Sequence, residues 1–366
     1  MTVMDIPRAR RRETGPIAIL YGAVGTDAGP DEQDVLVEVD CIRRALVALG
    51  HRPLAVPLTL DLEAARRRLL QARPALAFNL VESLDGNGAL IHLATSLLDA
   101  LGIPYTGAQT DAMFLTSSKL IAKRIMRAAG IPTAPWWEPA GGSPLPDFAG
   151  PYIVKSVWEH ASIGIDDASV TADRRVAAAV LRKRRRALGG SWFVERYIDG
   201  REFNIGLLGG PTDAGTDGGI VPQILPMAEM RFVDFPAGKP RIVGYTAKWH
   251  DGSFEERHTK RDFDWSAREP DLLARLEQVA RETWRLFRMS GYARVDIRVD
   301  AAGEPFVLEI NANPCLSPDA GFMAAAERVG LRAVDVVARI LAAARPAAPI
   351  RPALRKADAG AAIRAH

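Results

Sequence analysis

Apolar and polar positions change their period several times along the chain. Pro16–Tyr21 is a short continuous apolar run, as a strand buried on both faces carries, and Arg52–Pro57 and Ala75–Leu80 read the same way. Between them, Asp34–Leu49 (stopped at Gly50) and Asp61–Ala72 read as helices. Gly88–Leu101 is a further helix closed by Gly102, and Ile103–Gly107 an extended return. Strand and helix alternate, so residues 15–115 are expected to form a parallel α/β unit with both faces covered. Next, Thr116, Ser117 and Ser118 offer caps to a helix in which Leu120, Ile121, Ile125 and Met126 recur at helical spacing, ended by Gly130 and Pro132. Lys119 and Lys123 lie in its first turns, where a cation opposes the helix dipole; a ligand would give them a reason to be there.

A Pro-rich linker at 133–150 precedes strand-rich sequence. Tyr152–Lys155, Trp192–Ile198 and a run from Arg201 read as strands, with a Gly-containing loop at 158–164, a helix over Ala172–Leu188 and a loose loop at 209–219. A helix over Pro270–Met289 and a last one over Val329–Ala344 flank the most informative stretch, Arg294–Asn311. There, two alternating runs meet at Ala302-Gly303 and read as an antiparallel hairpin. A two-residue turn at that point sets Asp296 opposite Glu309 and Arg294 opposite Asn311. The other face pairs Val295 with Ile310, Ile297 with Leu308 and Val299 with Phe306, an apolar set that needs a core. Two acids directly opposed lie ~5 Å apart and destabilise a sheet unless a cation separates them. A hard divalent cation held by Asp, Glu and Asn oxygens is one solution, and a solvated charged face is the other.

Composition changes this picture little. The chain has 366 residues, 48% hydrophobic and 25% charged, enough for two or three sub-domains. It lacks an apolar run long enough to span a membrane and an N-terminal secretory h-region, so the expected location is the cytoplasm. The net charge of +3 is carried by the ends: residues 1–14 hold four Arg against two acids, and residues 345–366 hold five Lys or Arg against one. Both ends are expected to be disordered, and the body is left slightly acidic, with no general claim on a phosphate backbone. The run Arg182–Arg186 is expected on a solvated helix face opposite Val176, Val180 and Leu181. Cys41 and Cys315 form no metal-type spacing, nor do the six histidines. Asp85-Gly-Asn-Gly88 is a generic turn, and Thr116–Lys119 lacks the second motif of serine-lysine chemistry.

The order of signals is more specific than any one of them. Leu101–Gly107, Lys119 with Lys123, Ile153–Lys155, Ser162–Gly164, Phe193–Glu195, Gly200–Phe203, Ala247-Lys248, Arg294–Asp296 and Glu309–Pro314 follow one another in a single order. From Phe78 onward the chain thereby resembles the D-alanine:D-alanine ligase branch of the ATP-grasp superfamily. The resemblance implies a mixed α/β and α+β fold: the N-terminal unit, a central ATP-grasp lid sub-domain over 116–191 and a C-terminal ATP-grasp sub-domain over 192–345. It also implies an ATP-dependent carboxylate-amine ligase that forms an amide through an acyl phosphate. By position, Lys119 and Lys155 would hold the α- and β-phosphates, Lys248 the γ-phosphate, and Arg294 the transferring phosphoryl group. Asp296, Glu309 and Asn311 would carry two magnesium ions, with manganese as a substitute. Glu195 and the backbone near Ile198 would read adenine, and Glu202 the ribose hydroxyls. The implied partners are a small acid and a small amine, with a second copy of the chain as the candidate protein partner, and neither nucleic acid nor membrane.

Departures cluster on the substrate side. The family holds the first D-alanine's ammonium with a glutamate near the first βα turn, linked to a serine of the glycine-rich loop and a tyrosine of the mobile loop. The best-matched residues here are Gln33, Ala161 and Trp249. The histidine usual after the third strand is absent from Phe78–Ser83, the family's Pro-Gly becomes Pro314-Cys315, and the serine that binds the second carboxylate aligns with Ala320. The expectation is a ligase whose substrates are not two D-alanines, with Glu82, Glu159, His160, Trp249, His250 and Asp319 as candidate linings. An orthodox D-alanine:D-alanine ligase of peptidoglycan precursor synthesis and a non-catalytic nucleotide-binding protein are the alternatives. The segment from Lys248 to Lys260 is expected to be a lid.

Overall fold

Three sheets organise the chain in the computed structural model, which describes residues 15–139, 145–209 and 221–344. In the first sheet β1 (Ile17–Gly22), β2 (Pro53–Leu58) and β3 (Leu76–Asn79) pair in parallel in the order β2-β1-β3, as the alternation predicts. The connecting helices are α1 (Pro30–Ala48) and α2 (Leu62–Ala72). Pro30 opens α1 earlier than the expected Asp34, and the Glu32 carboxylate accepts from Gly29 N at 3.3 Å. Asp61 caps α2 by accepting from Ala64 N at 3.0 Å. Helix α3 (His92–Leu101) ends at Gly102, whose φ of 65° is the left-handed conformation that glycine adopts freely.

The helix expected after the caps at 116–118 is present, and a further helix that was not foreseen precedes it. Ser118 has an extended backbone, so it ends α4 (Thr110–Ser117), and its hydroxyl caps α5 (Lys119–Ala128) by accepting from Ile121 N at 3.3 Å. Lys119 therefore stands at the first helical position.

The second sheet is antiparallel. It joins β4 (Trp136–Trp137), β5 (Tyr152–Ser156), β6 (Val170–Thr171) and, beyond helix α6 (Arg174–Leu188), β7 (Trp192–Arg196) in the order β4-β7-β5-β6. β7 bonds to both β4 and β5, so this sheet continues across the expected boundary between residues 191 and 192. β4 likewise gives structure to the expected linker. Ala177, Ala178 and Leu181 pack α6 onto Trp137, Tyr152, Val154, Trp192 and Val194, whereas Val176 is exposed. The buried stripe thus runs through small residues that let helix and sheet approach closely. Of the run Arg182–Arg186, four residues lie on the outer face, while Arg184 turns in to Asp166 and Ser169.

The third sheet combines β8 (Arg201–Leu208), β9 (Gln223–Ile224), β10 (Ala228–Phe232), β11 (Thr259–Asp262), β12 (Tyr292–Val299) and β13 (Pro305–Asn311). Its order is β11-β10-β8-β12-β13, with β9 beside β8. Two short helices, α7 (Tyr245–Trp249) and α8 (Phe254–His258), lie between β10 and β11, and α9 (Pro270–Leu286) covers the back, burying Leu276, Val279, Ala280 and Trp284. The β12–β13 register is as expected from Arg294↔Asn311 to Asp296↔Glu309 and then shifts at a bulge, so Ile297 meets Val307 rather than Leu308 and Val299 meets Pro305 rather than Phe306. Val307 faces the core in their place. The turn is wider than two residues because Asp300 Oδ1 accepts from Ala302 N and Glu304 N, both at 2.9 Å.

The C-terminal helices α10 (Gly321–Glu327) and α11 (Ala333–Ala342) return to the first sheet. Phe322, Met323, Val336, Val337 and Ile340 share one core with Ile17, Ile19, Ile42, Leu46 and Phe78 and with Leu208 and Tyr292 of the third sheet. The last helix is shorter than expected, and α10 was not foreseen. The leader at 1–14, the tail at 346–366 and most of the 209–219 loop fall outside the described residues. No helix among the described residues is long and apolar enough to cross a membrane.

Candidate active site

A cavity of about 700 Å3 lies where the three sheets face one another. Lys119, Lys155, Glu195, Ile198, Glu202, Lys248, Arg294, Asp296, Glu309 and Asn311 all line it. Residues spread from 119 to 311 thus meet in one space because β5, β7, β8, β12 and β13 each turn an alternate side chain inward.

The acidic ribbon is the floor. Asp296 is 6% exposed and lies between Arg294, which donates Nε and Nη2 to its two oxygens at 2.8 and 2.9 Å, and Asn204, whose Nδ2 donates at 2.8 Å. Burial pushes its carboxyl up, against Arg294, which pulls it down. For Glu309 the balance is reversed: burial would raise it, but Lys119 at 3.3 Å, His160, Lys248 and Arg294 hold it well below the carboxylate range. Asn311 Oδ1 accepts from Asn313 N at 3.0 Å, which orients the amide. Two carboxylates and an amide oxygen on adjacent strands are the donor chemistry of a hard divalent cation, so these residues fit magnesium.

Around the floor, cations are held by paired groups. Lys119 Nζ donates to the Glu159 carbonyl at 2.7 Å, tying α5 to the glycine-containing loop. Glu195 is 1% exposed, with Lys155 Nζ 2.5 Å from one oxygen and Lys123 Nζ 2.8 Å from the other. Its carboxylate thus lies between the two lysines while still lining the cavity. Against burial, which would raise it, Lys123 and Lys155 hold Glu195 below its usual value. Lys123 does not reach the cavity; it donates to Thr133 Oγ1 at 2.7 Å and is structural, contrary to the reading of its helix position. Glu202 accepts from Arg298 Nε at 3.0 Å, and Arg298 Nη1 donates to the Ile198 carbonyl at 2.8 Å. Arg298, passed over in the sequence although it alternates with Arg294 and Asp296, thus ties together the two residues expected at ribose and adenine.

The lid side is strained. Ala161 and Ser162 have φ of 56° and 62°, left-handed values that cost on the order of 1 kcal/mol each for residues with a Cβ. Trp249 Nε1 donates to the Ala161 carbonyl at 3.0 Å, and Ser162 Oγ to the Val243 carbonyl at 2.7 Å, so the loop is held by the α7 segment. His160 lines the cavity with Nδ1 enclosed, unbonded and 3.9 Å from Glu309; burial, then Lys119, pushes its imidazole down to about 4. Glu82, Glu159, Trp249 and Asp319 also line the cavity, Asp319 at its exposed rim. His250 does not; its ring stands edge-on to Tyr245.

Of the matched positions, Trp249 meets Ala161 of the glycine-containing loop, whereas Gln33 does not face the cavity. Gln33 is exposed and donates to the Ala28 carbonyl. The acid that meets α7 is Asp31, whose Oδ1 accepts from the Tyr245 hydroxyl at 2.7 Å. The run Asp31-Glu32-Gln33-Asp34 was the available signal, and the earlier start of α1 at Pro30 decides which member points inward. Glu38, from the next turns of α1, was missed altogether because it reads as an ordinary helix acid.

This fold and cavity define an ATP-grasp enzyme, a class in which nucleotide lies between an antiparallel lid sheet and a larger sheet carrying the acidic ribbon. The family model described as the D-ala D-ala ligase C-terminus matches residues 145–342. A D-alanine–D-alanine ligase of Synechococcus sp. (strain JA-2-3B'a(2-13)) is 32% identical over 305 residues, covering 82% of this chain and 85% of the relative. An uncharacterized protein of Sinorhizobium fredii is 29% identical over 297 residues, 80% of this chain and 82% of its own. The crystal structure of a D-alanine–D-alanine ligase from Bacillus anthracis complexed with ATP shares the fold, with a TM-score of 0.65 at 20% identity over 90% of this chain and 97% of that one. The chain belongs to the D-alanine–D-alanine ligase family and is an ATP-dependent ligase that forms carbon-nitrogen bonds.

Proposed function

We propose that the protein activates the carboxylate of a small amino acid such as D-alanine with ATP and transfers the acyl group to an amine other than a second D-alanine. The supporting observation is the meeting of Lys119, Lys155, Lys248 and Arg294 with Asp296, Glu309 and Asn311 in one cavity. A carboxylate is a poor electrophile at neutral pH, and phosphorylation makes it reactive; that step needs in-line positioning and charge neutralisation more than covalent help. Lys119 and Lys155 hold the α- and β-phosphates, Lys248 the γ-phosphate, and Arg294 the phosphoryl group in transit. Two divalent ions, magnesium or manganese, when bound at Asp296, Glu309 and Asn311, neutralise phosphate charge. Glu202 takes the ribose hydroxyls, the chain at Ile198 faces the base, and Glu195 keeps Lys155 aimed. Trp249 and His160 close the site against water, and the chemistry belongs in the cytoplasm, where ATP is abundant.

Asp31, joined to Tyr245, takes the ammonium of the amino acid being activated. The amine side differs from the family pattern. With Ala320 in place of a serine, an incoming second carboxylate loses that hydroxyl donor, worth about 1–3 kcal/mol, and keeps Arg261 at the same rim. The test is ADP release with D-alanine and a panel of amines, products read by mass spectrometry. A mixed D-alanyl amide as the main product is expected; D-alanyl-D-alanine as the main product overturns the reading. That second outcome is the orthodox activity, favoured by the names of the curated relatives and by the Asp31–Tyr245 bond.

A further inference from the structure

Beyond the nucleotide and the metal floor, the cavity ends in a corner of a different character. Glu38 and Asp34 enter from α1, Glu82 from the chain after β3, and Cys315 from the chain after β13. One oxygen each of Glu38 and Glu82 and the Cys315 sulfur lie within 4.8 Å of one another. Asp34 is satisfied, accepting from Cys315 Sγ and Ser317 Oγ at 3.1 Å. The other two acids are not. Glu38, only 2% exposed, accepts from Leu316 N at 2.7 Å through one oxygen, and its second oxygen takes no hydrogen bond from the described residues. Glu82 takes none at all from them. The charges acting on Glu38 are Glu82 and Asp34, both negative; Glu82 also feels Arg294, which is spent on Asp296, and Lys248. A nearly buried carboxylate lining a substrate cavity, faced by carboxylates and by no cation of its own, is a receptor for a positive ligand group.

We propose that the attacking substrate is a diamino compound, a small diamine or diamino acid, whose second, unreacting ammonium binds between Glu38 and Glu82. The inference rests on the ligase reading above and names its acceptor class. An ammonium offers three donors to acceptors that lack them, and the cationic group compensates for the absent acceptor-carboxylate donor at Ala320. A metal ion suits the corner less well. The Cys315 thiol donates to Asp34, and burial among these acids pushes its ionisation up, away from the thiolate that metals bind. In the reaction the free amine of the diamine attacks the acyl carbon. The C–N bond forms as the C–O bond to phosphate breaks, phosphate leaves with the electron pair, and the amine's surplus proton passes to it.

The experiment measures ADP release by the full chain with ATP, magnesium and D-alanine, comparing 2,4-diaminobutyrate and 1,4-diaminobutane with norvaline and pentylamine, isosteres in which a methyl replaces the second ammonium. A charged hydrogen-bonded pair predicts kcat/KM at least about tenfold higher for each diamine. Glu82→Gln and Glu38→Gln, which keep side-chain volume and, at Glu38, the acceptor for Leu316 N, are expected to erase that preference while the KM for ATP stays unchanged. Equal use of charged and neutral acceptors, or variants that slow both alike, overturns the proposal and leaves the ligase reading intact. Zinc binding that depends on Cys315 and blocks the diamines overturns it in favour of a metal site. Absence of ADP release with every acceptor, while an ATP analogue still protects the Lys248–Lys260 segment from protease, overturns the ligase reading as well.

Discussion

The two ends of the cavity solve opposite electrostatic problems. At the end lined by the lysines, Lys155 and Lys123 share Glu195, Arg298 holds Glu202 and Arg294 spans Asp296, so each of these seven charges has a partner within 3.0 Å. At the other end, Glu38 and Glu82 stand without a cation to share. The first end is preorganised and holds its shape before a ligand arrives; at the second, burial and neighbouring acids resist ionisation, which a cationic ligand would favour. On the proposed reading the difference teaches which end would carry specificity: the groups assigned to phosphate are fixed in place beforehand, and substrate choice would be left to what the acids accept.

Several substitutions would break or sharpen this contrast. The largest effect belongs to Glu195→Gln, which leaves two buried ammonium groups facing each other; breaking such a pair is expected to lower stability by about 3–5 kcal/mol, read by denaturant unfolding. Next come Asp296→Asn and Glu309→Gln, expected to lower ADP release by roughly 100-fold or more with the fold retained, since each removes charge aimed at the transferring group. Unchanged turnover would mean that the ribbon is not the metal floor.

At the anionic end the sign is opposite. Burial and Asp34 push Glu82 up to about 7, while an unfolded glutamate ionises near 4.5. The folded state therefore keeps a proton that the unfolded state releases, and stability falls as pH rises from about 4.5 to about 7. Glu38, Asp34 and Cys315 face the same space, and Arg294 and Lys248 moderate the effect. Glu82→Gln should remove this loss, gaining up to ~3 kcal/mol above pH 7 and nothing below pH 4, as read from unfolding at the two pH values. A variant no more stable at pH 8 than the parent would place Glu82 in bulk solvent. The smallest effect is that of Tyr245→Phe, which removes one hydrogen bond to Asp31: about 1 kcal/mol, appearing as a several-fold rise in KM for the activated amino acid with kcat nearly unchanged.

The nucleotide end was legible in the sequence because its residues sit in short patterns whose period is set by strands. Arg294, Asp296, Glu309 and Asn311 could be paired across a hairpin from alternation alone, and the register held as far as the bulge after Asp296. Past it, one extra residue moved Val307 into the core, which no period-two pattern announces. The substrate end was nearly illegible for a different reason. Its contacts join residues far apart, as Ser317 with Asp34 and Leu316 with Glu38, and an acid on α1 carries no mark of the loop that will cover it. Ser118 was legible as a cap and does cap α5, but the short helix α4 before it was not, since Thr110–Ser117 carries no clear apolar stripe of its own.

The return of α10 and α11 to α1 has a mechanical consequence. Leu208 and Tyr292 of the third sheet, Ile19 and Phe78 of the first and Val336 and Ile340 of α11 form one continuous apolar body, whereas the second sheet packs chiefly around its own Tyr152, Val154 and Leu181. Floor and acidic corner must then travel together as a single jaw. The second sheet, with a core of its own, is the part whose displacement would leave the geometry of floor and corner undisturbed.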